Sequence, residues 1–398
     1  MRNSWRPVKF EEIIKANQKS KIQVKDAFDS EQYPFFTSGE KILKHPNFLV
    51  DKENIFMSTG GIAQVKYFRG RSSYSTDTFS FSCNNNFNVK FTYYLILSKI
   101  NEIDYKFFIG SGLKHLQKEL LNNNFYKIPP LPQQRKIANI LSTCDEVIEK
   151  TEAAIAKYQA LKQGMLHDLF TRGIDVKTGK LRPSYQDAPE LYKESDLGLI
   201  PKDWEVKDLG DVGEVKMCKR IFSYQTKDEG DIPFYKIGTF GKRPDAFIST
   251  ELYNEFKSKY SFPSKGSVLI SASGTIGRLV IYNGAEEYFQ DSNIVWIENN
   301  NKTISNNFLK EIFPSVKFQT EGGTIKRLYN NILKSGLFPC PPIKTEQPRI
   351  VEALNSSNLK LDAEQSTLTK YQKLKAGLMQ DLLTGKVEVS VAEETPKN

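Results

Sequence analysis

One segment of this chain occurs twice, and that repetition restricts the folds available to it. The sequence YQALKQGMLHDLFTRG begins at Tyr158, and the near-copy YQKLKAGLMQDLLTGK begins at Tyr371, 213 positions later. An internal repeat indicates two copies of one structural unit. A fold proposed for one copy must therefore suit the other.

The correspondence extends upstream through most of the chain. Gln134 matches Gln347 at the same separation, and Trp5 matches Trp204 at a separation of 199. The separation rises from 199 to 213 between positions 39 and 52, so one copy contains an insertion there. The sequence is interpreted as a tandem duplication, with copies over roughly 1–173 and 204–386.

The repeated tails have the periodicity of long helices. Apolar residues recur at steps of mostly four and three, which is heptad spacing, with a slip near Leu161. Proline runs precede both tails, as expected where a helix begins. We predict two helices of about 35 residues, each about 50 Å long. The stripe residues are Ile137, Leu141, Ile148, Ile155, Tyr158, Leu161 and Met165 in the first tail, and Ile350, Leu354, Leu361, Leu368, Tyr371, Leu374 and Leu378 in the second.

Two equal stripes in one chain can bury each other. Because the second globular part lies between the helices in sequence, an antiparallel pairing is expected. That pairing predicts a two-helix coiled-coil spacer with pseudo-twofold symmetry. The alternative is that each helix packs onto its own domain.

Both globular halves have the pattern of mixed α/β (α+β) units. NIFMSTGGIAQVKYFRG predicts a strand, a glycine turn and a strand, and SVLISASGTIGRLVIYNG predicts the same. DTFSFSC and SNIVWIE predict further strands, whereas FTYYLILSKI and NNFLKEIF are typical of short helices.

The net charge of +9 suggests a polyanionic partner. Lys and Arg outnumber Asp and Glu by 19 to 12 in residues 1–130 and by 19 to 17 in residues 200–342. The excess therefore lies in the two globular halves. The alternative is a basic protein without such a partner.

Basic residues near the predicted hairpins are candidate contacts to DNA phosphates or bases. Arginine is the side chain best suited to bidentate contact with guanine. These candidates are Lys66, Arg69 and Arg71 in the first half, and Lys219, Arg220, Lys242, Arg243 and Arg278 in the second. Any one of them could instead be an ordinary surface cation.

Two further basic pairs follow glycines at predicted helix starts. GSGLKHLQKELL contains Lys114 and His115, and GGTIKRLYNNIL contains Lys326 and Arg327. Backbone N–H groups at a helix start together with such cations could bind phosphate. The alternative is an ordinary helix with solvated charges.

Signals for catalysis are weak. The three histidines and four cysteines form no metal-ligand motif, and no nucleotide-binding phosphate loop is present. Asp245, Glu255 and Lys257 have the outline of a PD–ExK metal nuclease, but the first copy has no counterpart. No metal site is expected.

The chain resembles the specificity subunit of type I restriction–modification enzymes. The similarity rests on IPPLPQQRKIANIL at the first long helix, LKQGMLHDLFT and LKAGLMQDLLTGKV at the helix ends, and LGLIPKDWEVKDLGDV at the second half. The sequence departs from the family's usual Glu-Gln pair, because Gln133 precedes Gln134 in the first copy. In the second copy Glu346 and Gln347 are followed by Pro348.

The resemblance implies two tandem target-recognition domains that each read half of a bipartite DNA sequence. It implies a helical spacer that sets the gap, and attachment of two methyltransferase subunits and, through them, of motor–nuclease subunits. S-adenosylmethionine, ATP and Mg²⁺ would then belong to those partners, and this chain would be non-catalytic.

The boundaries expected for this arrangement follow the repeat. They are a first target-recognition domain over 1–130, a spacer helix over 131–172, a linker over 173–203, a second target-recognition domain over 204–342, a pairing helix over 343–386 and a flexible tail over 387–398. The scattered cysteines and the lack of a signal peptide or membrane-length apolar run lead us to expect a cytoplasmic protein. A scaffold with two protein-binding domains and a self-contained nuclease are the alternative functions.

Overall fold

The computed structural model describes residues 5–28, 32–318, 327–342 and 344–390. The chain forms two compact units: unit 1 comprises 1–154 and 364–398, and unit 2 comprises 155–363. These units differ from the two sequence copies, because the two long helices contribute to both of them.

Unit 1 contains a six-stranded sheet with short helices around it. The strands of the whole unit are β1 (Arg6–Lys9), β2 (Ile14–Ala16), β3 (Tyr33–Phe36), β4 (Leu43–His45), β5 (Val50–Ser58), β6 (Val65–Tyr74), β7 (Thr78–Cys83), β8 (Phe108–Ile109), β9 (His115–Leu116) and β10 (Phe125–Ile128), and β2 to β7 form the sheet. Its short helices are α1 (Phe10–Ile13), α2 (Val89–Ser98), α3 (Ile100–Phe107) and α4 (Lys118–Asn122). The sheet order is β2-β7-β5-β6-β3-β4, in which β3 runs parallel to β6.

The first long helix, α5 (Leu131–Thr171), and the last one, α9 (Gln347–Leu382), have 41 and 36 residues. Each has a proline at its second position, where no intrahelical N–H bond is lost. Of the helices in the described part of the chain, none combines the length and the apolar character that a membrane span requires.

Unit 2 repeats the topology of unit 1, but the strands that correspond to the six-stranded sheet form two separate sheets. Its strands are β11 (Tyr192–Lys193), β12 (Ile200–Pro201), β13 (Glu205–Asp208), β14 (Gly213–Met217), β15 (Ile232–Tyr235), β16 (Phe247–Ile248), β17 (Val268–Ser271), β18 (Leu279–Ile281), β19 (Tyr288–Phe289), β20 (Ile294–Asn299) and β21 (Leu337–Cys340). Its short helices are α6 (Thr250–Lys259), α7 (Asn306–Ile312) and α8 (Asn330–Lys334).

The sheets of the two units correspond strand by strand. Unit 2 has the order β14-β20-β17-β18 and, separately, β16-β15-β19, in which β15 runs parallel to β19. The long strand β6 of unit 1 corresponds to β18 and β19, which are separated by a turn at Gly284 with φ of 93°. The predicted hairpins, the strands after them and the helices over FTYYLILSKI and NNFLKEIF are confirmed, as is the mixed fold.

The insertion predicted from the sequence lies in unit 2 and includes helix α6. It lies between β16 and β17, where unit 1 passes from β4 to β5 within a few residues. The Ser249 side chain caps α6 by accepting a hydrogen bond from the Leu252 N–H at 3.3 Å.

In unit 1, the beginning of α5 packs beside the end of α9. Ile137 and Leu141 share one apolar core with Leu382 and Leu383. Further along, Lys375 of α9 forms an ion pair with Asp145 of α5. Because early residues of one helix meet late residues of the other, the pairing is antiparallel, as predicted.

In unit 2, the end of α5 packs beside the beginning of α9. Leu166 and Leu169 share an apolar core with Ile350 and Leu354. The core also contains Phe308 of α7, so the helices bury each other and also pack on the globular part. The alternative, that each helix packs onto its own domain, holds for the first part of each helix only.

The apolar stripe departs from the predicted seam at two equivalent positions. Leu161 is 57% exposed and Leu374 is 49% exposed, whereas the next residues, Lys162 and Lys375, are half-buried. The heptad pattern takes a three-residue step from Tyr158 to Leu161, whereas the buried face takes a four-residue step to Lys162. The longer step fits the 3.6-residue period of the helix better at this point. Ile137, Leu141, Ile155, Ile350, Leu354 and Leu361 are buried, and Ile148, Tyr158, Met165, Leu368, Tyr371 and Leu378 are half-buried.

One glutamine joins each long helix to its globular part. In unit 1, the side chain of Gln134 donates to the Pro129 carbonyl at 2.9 Å and accepts from the Asn88 N–H at 2.8 Å. In unit 2, Gln347 donates to the Pro341 carbonyl at 3.0 Å and accepts from the Ser305 N–H at 3.3 Å. The two amides cap the backbone that precedes α2 and α7.

The segment predicted as a linker, 173–203, belongs to unit 2 and contains the short strands β11 and β12. Its Arg182 is buried and pairs through two nitrogens with the carboxylate of Glu346, which is fully buried. Trp204 Nε1 and the Ile174 N–H also donate to that carboxylate, at 2.9 and 2.7 Å. The buried carboxylate is thus well satisfied.

Candidate nucleic-acid interface

Five segments of unit 1 meet at one end of its sheet. We call their combined surface the loop face of unit 1, and it consists of 19–27, 37–40, 58–64, 75–78 and 110–116. Hydrogen bonds between backbone groups of different segments hold them together, since buried N–H and C=O groups need partners.

The turn of the β5–β6 hairpin lies at the centre of this face. The Thr59 N–H donates to the Asp77 carbonyl at 3.2 Å, and the Leu116 N–H donates to the Thr59 carbonyl at 3.0 Å. The Thr76 N–H reaches the Ile22 carbonyl at 2.9 Å, which attaches segment 19–27. The hydroxyl of Ser38 donates to the Asp77 carbonyl and attaches segment 37–40.

Unit 2 has an equivalent loop face. Its segments are 218–226, 236–243, 271–278, 290–293 and 327–328. The Ala272 N–H donates to the Asn293 carbonyl at 2.8 Å, and the Leu328 N–H donates to the Ala272 carbonyl at 2.8 Å. Gln290 accepts from the Ile237 N–H at 2.9 Å, and so attaches segment 236–243.

A buried serine holds each hairpin turn in the same way. The Ser58 hydroxyl accepts from the Gln64 N–H at 2.8 Å and donates to the Ile62 carbonyl at 2.9 Å. In unit 2 the Ser271 hydroxyl accepts from the Arg278 N–H at 2.8 Å and donates to the carbonyl of Thr275. Since each hydroxyl both donates and accepts, both turns are fixed.

A glycine with positive φ lies in each turn, and the two glycines are 213 positions apart, the separation of the repeat. Gly61 has φ of 78° and Gly274 has φ of 65°. Side chains other than glycine rarely adopt such values. The two hairpin turns therefore share both their hydrogen bonds and their backbone conformation.

Two predicted DNA contacts, Lys66 and Arg278, bond instead to the neighbouring loop. Lys66 Nζ donates to the carbonyls of Thr37 and Gly39, and Arg278 Nη1 donates to the Phe240 carbonyl at 2.8 Å. Burial lowers the pKa of Lys66, and the nearby Glu40 partly offsets that shift. Both cations support the loop face rather than simply projecting from it.

Three more candidates of unit 2 have partners in the structure, two of them on the loop face. Arg220 pairs with Asp291 at 2.9 Å, and Arg327 donates to the Ser292 carbonyl at 3.0 Å. Lys219 lies 5.0 Å from the centre of the Tyr260 ring. Arg220 nevertheless remains largely exposed, so a phosphate could compete for it.

The remaining candidates on the loop faces are exposed. Lys242 and Arg243 lie on segment 236–243, and His115 lies beside the hairpin turn of unit 1. Lys114 is also exposed and pairs with Asp104 at 3.3 Å. These side chains extend the basic character of both faces.

Arg69 and Arg71 lie on strand β6, outside the segments that form the loop face of unit 1. Both are exposed on β6, several residues beyond the hairpin turn, and Arg71 pairs with Asp51 at 3.1 Å. Five strand residues span about 16 Å. Their assignment to DNA binding stays a prediction.

The expected phosphate sites at helix starts differ from the observed backbone. His115 belongs to strand β9, and α4 begins only at Lys118, so the basic pair precedes the helix. Arg327 likewise precedes α8, and Lys326 lies outside the described residues. The helical interpretation of the first pair is wrong because residues 115–116 extend the pairing with β8.

The three residues of the nuclease outline each bond to a different partner. Asp245 pairs with Lys236, and Glu255 pairs with Lys259, each at 2.9 Å. Lys257 donates to the Tyr253 hydroxyl at 2.9 Å. In the described part of the chain no three His, Cys, Asp or Glu side chains are grouped as metal ligands.

Several exposed residues of the loop faces were missed in the sequence. Ile62, at the hairpin turn of unit 1, is 72% exposed, and Tyr224 of unit 2 is 82% exposed. Lys25, 199 positions before Tyr224, is exposed too. The shared separation of 199 was the signal that could have drawn attention to this pair.

The duplicated α+β unit, with one basic loop face per copy and antiparallel helices, defines a class of tandem-repeat protein. The family model described as type I restriction modification DNA specificity domain matches residues 3–157 and 201–375. The chain therefore belongs to this family, and the resemblance found in the sequence is confirmed.

Individual relatives agree. The chain is 56% identical over 167 residues, 42% of its length, to a putative type I restriction enzyme specificity subunit, S.HindORF215P, of Haemophilus influenzae. It is 28% identical over 70% of its length to the putative MjaX specificity subunit of Methanocaldococcus jannaschii. These alignments span 43% and 60% of the relatives' own lengths.

Solved structures show the same fold. The type I restriction–modification S subunit from M. genitalium has a TM-score of 0.66 with 17% identity, and the match covers 98% of this chain and 99% of that one. A chain from a structure on complex assembly and conformational transition of the type I R-M system has a TM-score of 0.51 with 16% identity, over 96% and 98% of the two chains. At such identities the likeness concerns the fold.

Proposed function

We propose that this chain is the DNA-specificity subunit of a type I restriction–modification system. Each loop face reads one half of a bipartite DNA site, and partner subunits carry out adenine methylation and restriction. The observation that carries this proposal is the pair of loop faces, built on one framework but carrying different exposed side chains. Two copies of one frame with different surfaces suit two different half-sites.

The chemistry of the faces supports DNA as the ligand. Cations at the rim supply contacts to phosphate, which give most of the affinity and position the protein. Exposed polar, basic and aromatic side chains on the fixed turns can contact base edges. Specificity can therefore change without altering the fold.

Partners supply the reaction in this proposal. Two methyltransferase subunits, and motor–nuclease subunits through them, bring S-adenosylmethionine, ATP and Mg²⁺, while this chain is non-catalytic. Adenine methylation requires the base to leave the duplex stack. The loop faces hold the duplex while the partner acts.

The test is selection from a random duplex library by the full chain with its methyltransferase partner. We expect two short conserved half-sites separated by a fixed gap. Affinity should fall steeply with salt, since phosphate contacts release counterions. A scaffold that binds only proteins would select no sequence and show no salt-dependent DNA affinity.

A helix insertion tests the spacer. Adding four residues to both α5 and α9 lengthens each helix by about 6 Å, roughly one turn. We expect the selected half-sites to stay the same while the gap between them changes. An unchanged gap would overturn the role of the helices as a spacer.

A further inference from the structure

Segment 218–226 on the loop face of unit 2 presents two stacked aromatic rings to solvent. Phe222 is 50% exposed and Tyr224 is 82% exposed. Their ring centres lie 5.7 Å apart, with planes inclined by only 8°. Lys219 and Arg220 immediately precede them, so this apolar surface lies within a basic one.

The two rings are held by a short turn of fixed geometry. The Phe222 N–H donates to the Gln225 side chain at 3.0 Å, and the Gln225 N–H donates back to the Phe222 carbonyl at 2.9 Å. The Thr226 hydroxyl donates to the Ser223 carbonyl at 2.8 Å. Because the turn is already ordered, little backbone entropy would be lost when a ligand covers the rings.

Unit 1 contains the same turn 199 positions earlier. The Gln23 N–H donates to the Asp26 side chain at 2.8 Å, and the Asp26 N–H donates to the Gln23 carbonyl at 3.0 Å. Gln23 and Lys25 therefore occupy the positions of Phe222 and Tyr224, and both are exposed. The frame is kept, and the chemistry of the two presented side chains differs.

Both turns are joined to the rest of their loop face. In unit 1 the Ile22 carbonyl accepts from the Thr76 N–H at 2.9 Å. In unit 2 Arg220 reaches Asp291 at 2.9 Å. A duplex that contacts the hairpin turn and its surrounding cations would therefore meet these turns as part of one surface.

We propose that this turn contacts DNA in both units and that its two exposed positions determine the manner of contact. Phe222 and Tyr224 lay aromatic surface against bases of the half-site read by unit 2. Gln23 and Lys25 instead supply a hydrogen-bonding side chain and a phosphate contact to the other half-site. This inference rests on the proposed function and names residues that set its specificity.

The chemistry of the two contacts differs in a measurable way. Apolar contact with a thymine methyl group or with an opened base step depends on sequence. A lysine–phosphate contact depends on salt instead, since each phosphate contact adds about 0.9 to the slope of log affinity against log salt. Base preference and salt slope are therefore separate readouts for the two turns.

The first experiment removes the aromatic pair. The full chain carrying Phe222→Ala and Tyr224→Ala, together with its methyltransferase partner, is used for duplex selection and salt titration. We expect altered base preferences in one half-site only, and about tenfold weaker binding of the original site, the loss of one good base contact. Tyr185→Ala, which removes a 46% exposed tyrosine of unit 2 outside the loop face, is the control and should change neither.

The second experiment exchanges the chemistry. Phe222→Gln with Tyr224→Lys should steepen the salt slope by about 0.9, one added phosphate contact. Gln23→Phe with Lys25→Tyr should reduce the slope by the same amount and alter base preference at the other half-site. Since these side chains are exposed, we expect unchanged unfolding temperatures. Unchanged slopes and preferences in both exchanged proteins would overturn the proposal.

The outcomes separate this inference from the function on which it rests. If the unaltered chain selects no DNA sequence, the proposed function fails. If it selects two half-sites and the alanine variant selects the same ones with equal affinity, only the inference fails. If that variant loses its methyltransferase partner but keeps its DNA affinity, the rings dock a protein, and the inference is again wrong.

Discussion

The loop faces of the two units share their internal hydrogen bonds and differ in their exposed side chains. Ser58 and Ser271 hold the hairpin turns through the same pair of bonds. Lys66 and Arg278 both bond to carbonyls of the loop beside the turn. The side chains that are retained bond to backbone groups, and the backbone has the same conformation in both units. The side chains that differ are exposed to solvent.

The junctions between helix and globular part show a second, asymmetric comparison. Gln134 and Gln347 make the same bonds in their own units. Unit 2 adds the buried pair of Glu346 and Arg182, whereas unit 1 has Gln133 at the position before its anchoring glutamine. A duplicated chain can thus keep the glutamine contact at the helix start in both copies and add a buried ion pair in only one of them.

The largest effect is expected from Glu346→Ala. Its removal leaves the buried Arg182 and the Trp204 N–H without their partner, at a cost of about 3–5 kcal/mol. Hydrogen exchange should show loss of protection in unit 2 with unit 1 unchanged. Gln133→Ala is the matched control and should have little effect; equal losses in both units would contradict the asymmetry.

A smaller and symmetric effect is expected at the shared anchor. Gln134→Ala and Gln347→Ala each leave buried backbone groups unpaired, which costs about 1–3 kcal/mol. Chemical denaturation of each variant should show losses of similar size. A loss confined to one of them would break the equivalence of the two junctions.

The hairpin serines should affect stability modestly and DNA binding selectively. Ser58→Ala and Ser271→Ala should each cost about 1 kcal/mol and weaken binding only at the half-site of their own unit. Duplexes with one half-site scrambled separate the two. Ser82→Ala removes a similar bond, to the Glu53 carbonyl, away from the loop face, and it should lower stability without changing DNA affinity.

The smallest effect is expected from Arg69→Ala with Arg71→Ala. Both side chains are exposed and distant from the hairpin turn, and the ion pair of Arg71 with Asp51 is solvated. We expect affinity at the first half-site to change less than with Ser58→Ala. A larger loss would show that the DNA contact extends along β6 and that the loop face is too narrowly defined.

Much of the architecture could be predicted because its signals are local or repeated. The helix periodicity and the glycine turns predicted α5, α9 and both hairpins, and the shift in repeat separation predicted an insertion where α6 lies. The candidate site was harder to predict. A sequence shows that Lys66 is basic, but the carbonyl of Gly39 becomes its partner only when the sheet forms.

The exposed positions of the stripe show the same limit. A strict heptad put Leu161 and Leu374 on the seam, yet both face solvent, because the helices continue at their own period over 41 and 36 residues. The basic pair at Lys114 and His115 was predicted to begin a helix, although strand pairing with β8 extends through His115. In the first case the helix period overrode the heptad pattern, and in the second a short hairpin replaced the predicted helix start.

The sequence by itself determined that this chain is a duplication with two mixed α+β units, two long helices and membership of the specificity family. These properties follow from periodicity and repetition, which are visible in the order of the residues. Only the tertiary structure decided that each compact unit combines the beginning of one long helix with the end of the other. It also decided which cations support the loop faces. Those outcomes depend on segments far apart in sequence coming together, and hydrogen bonds formed in that way leave no pattern in the order of residues.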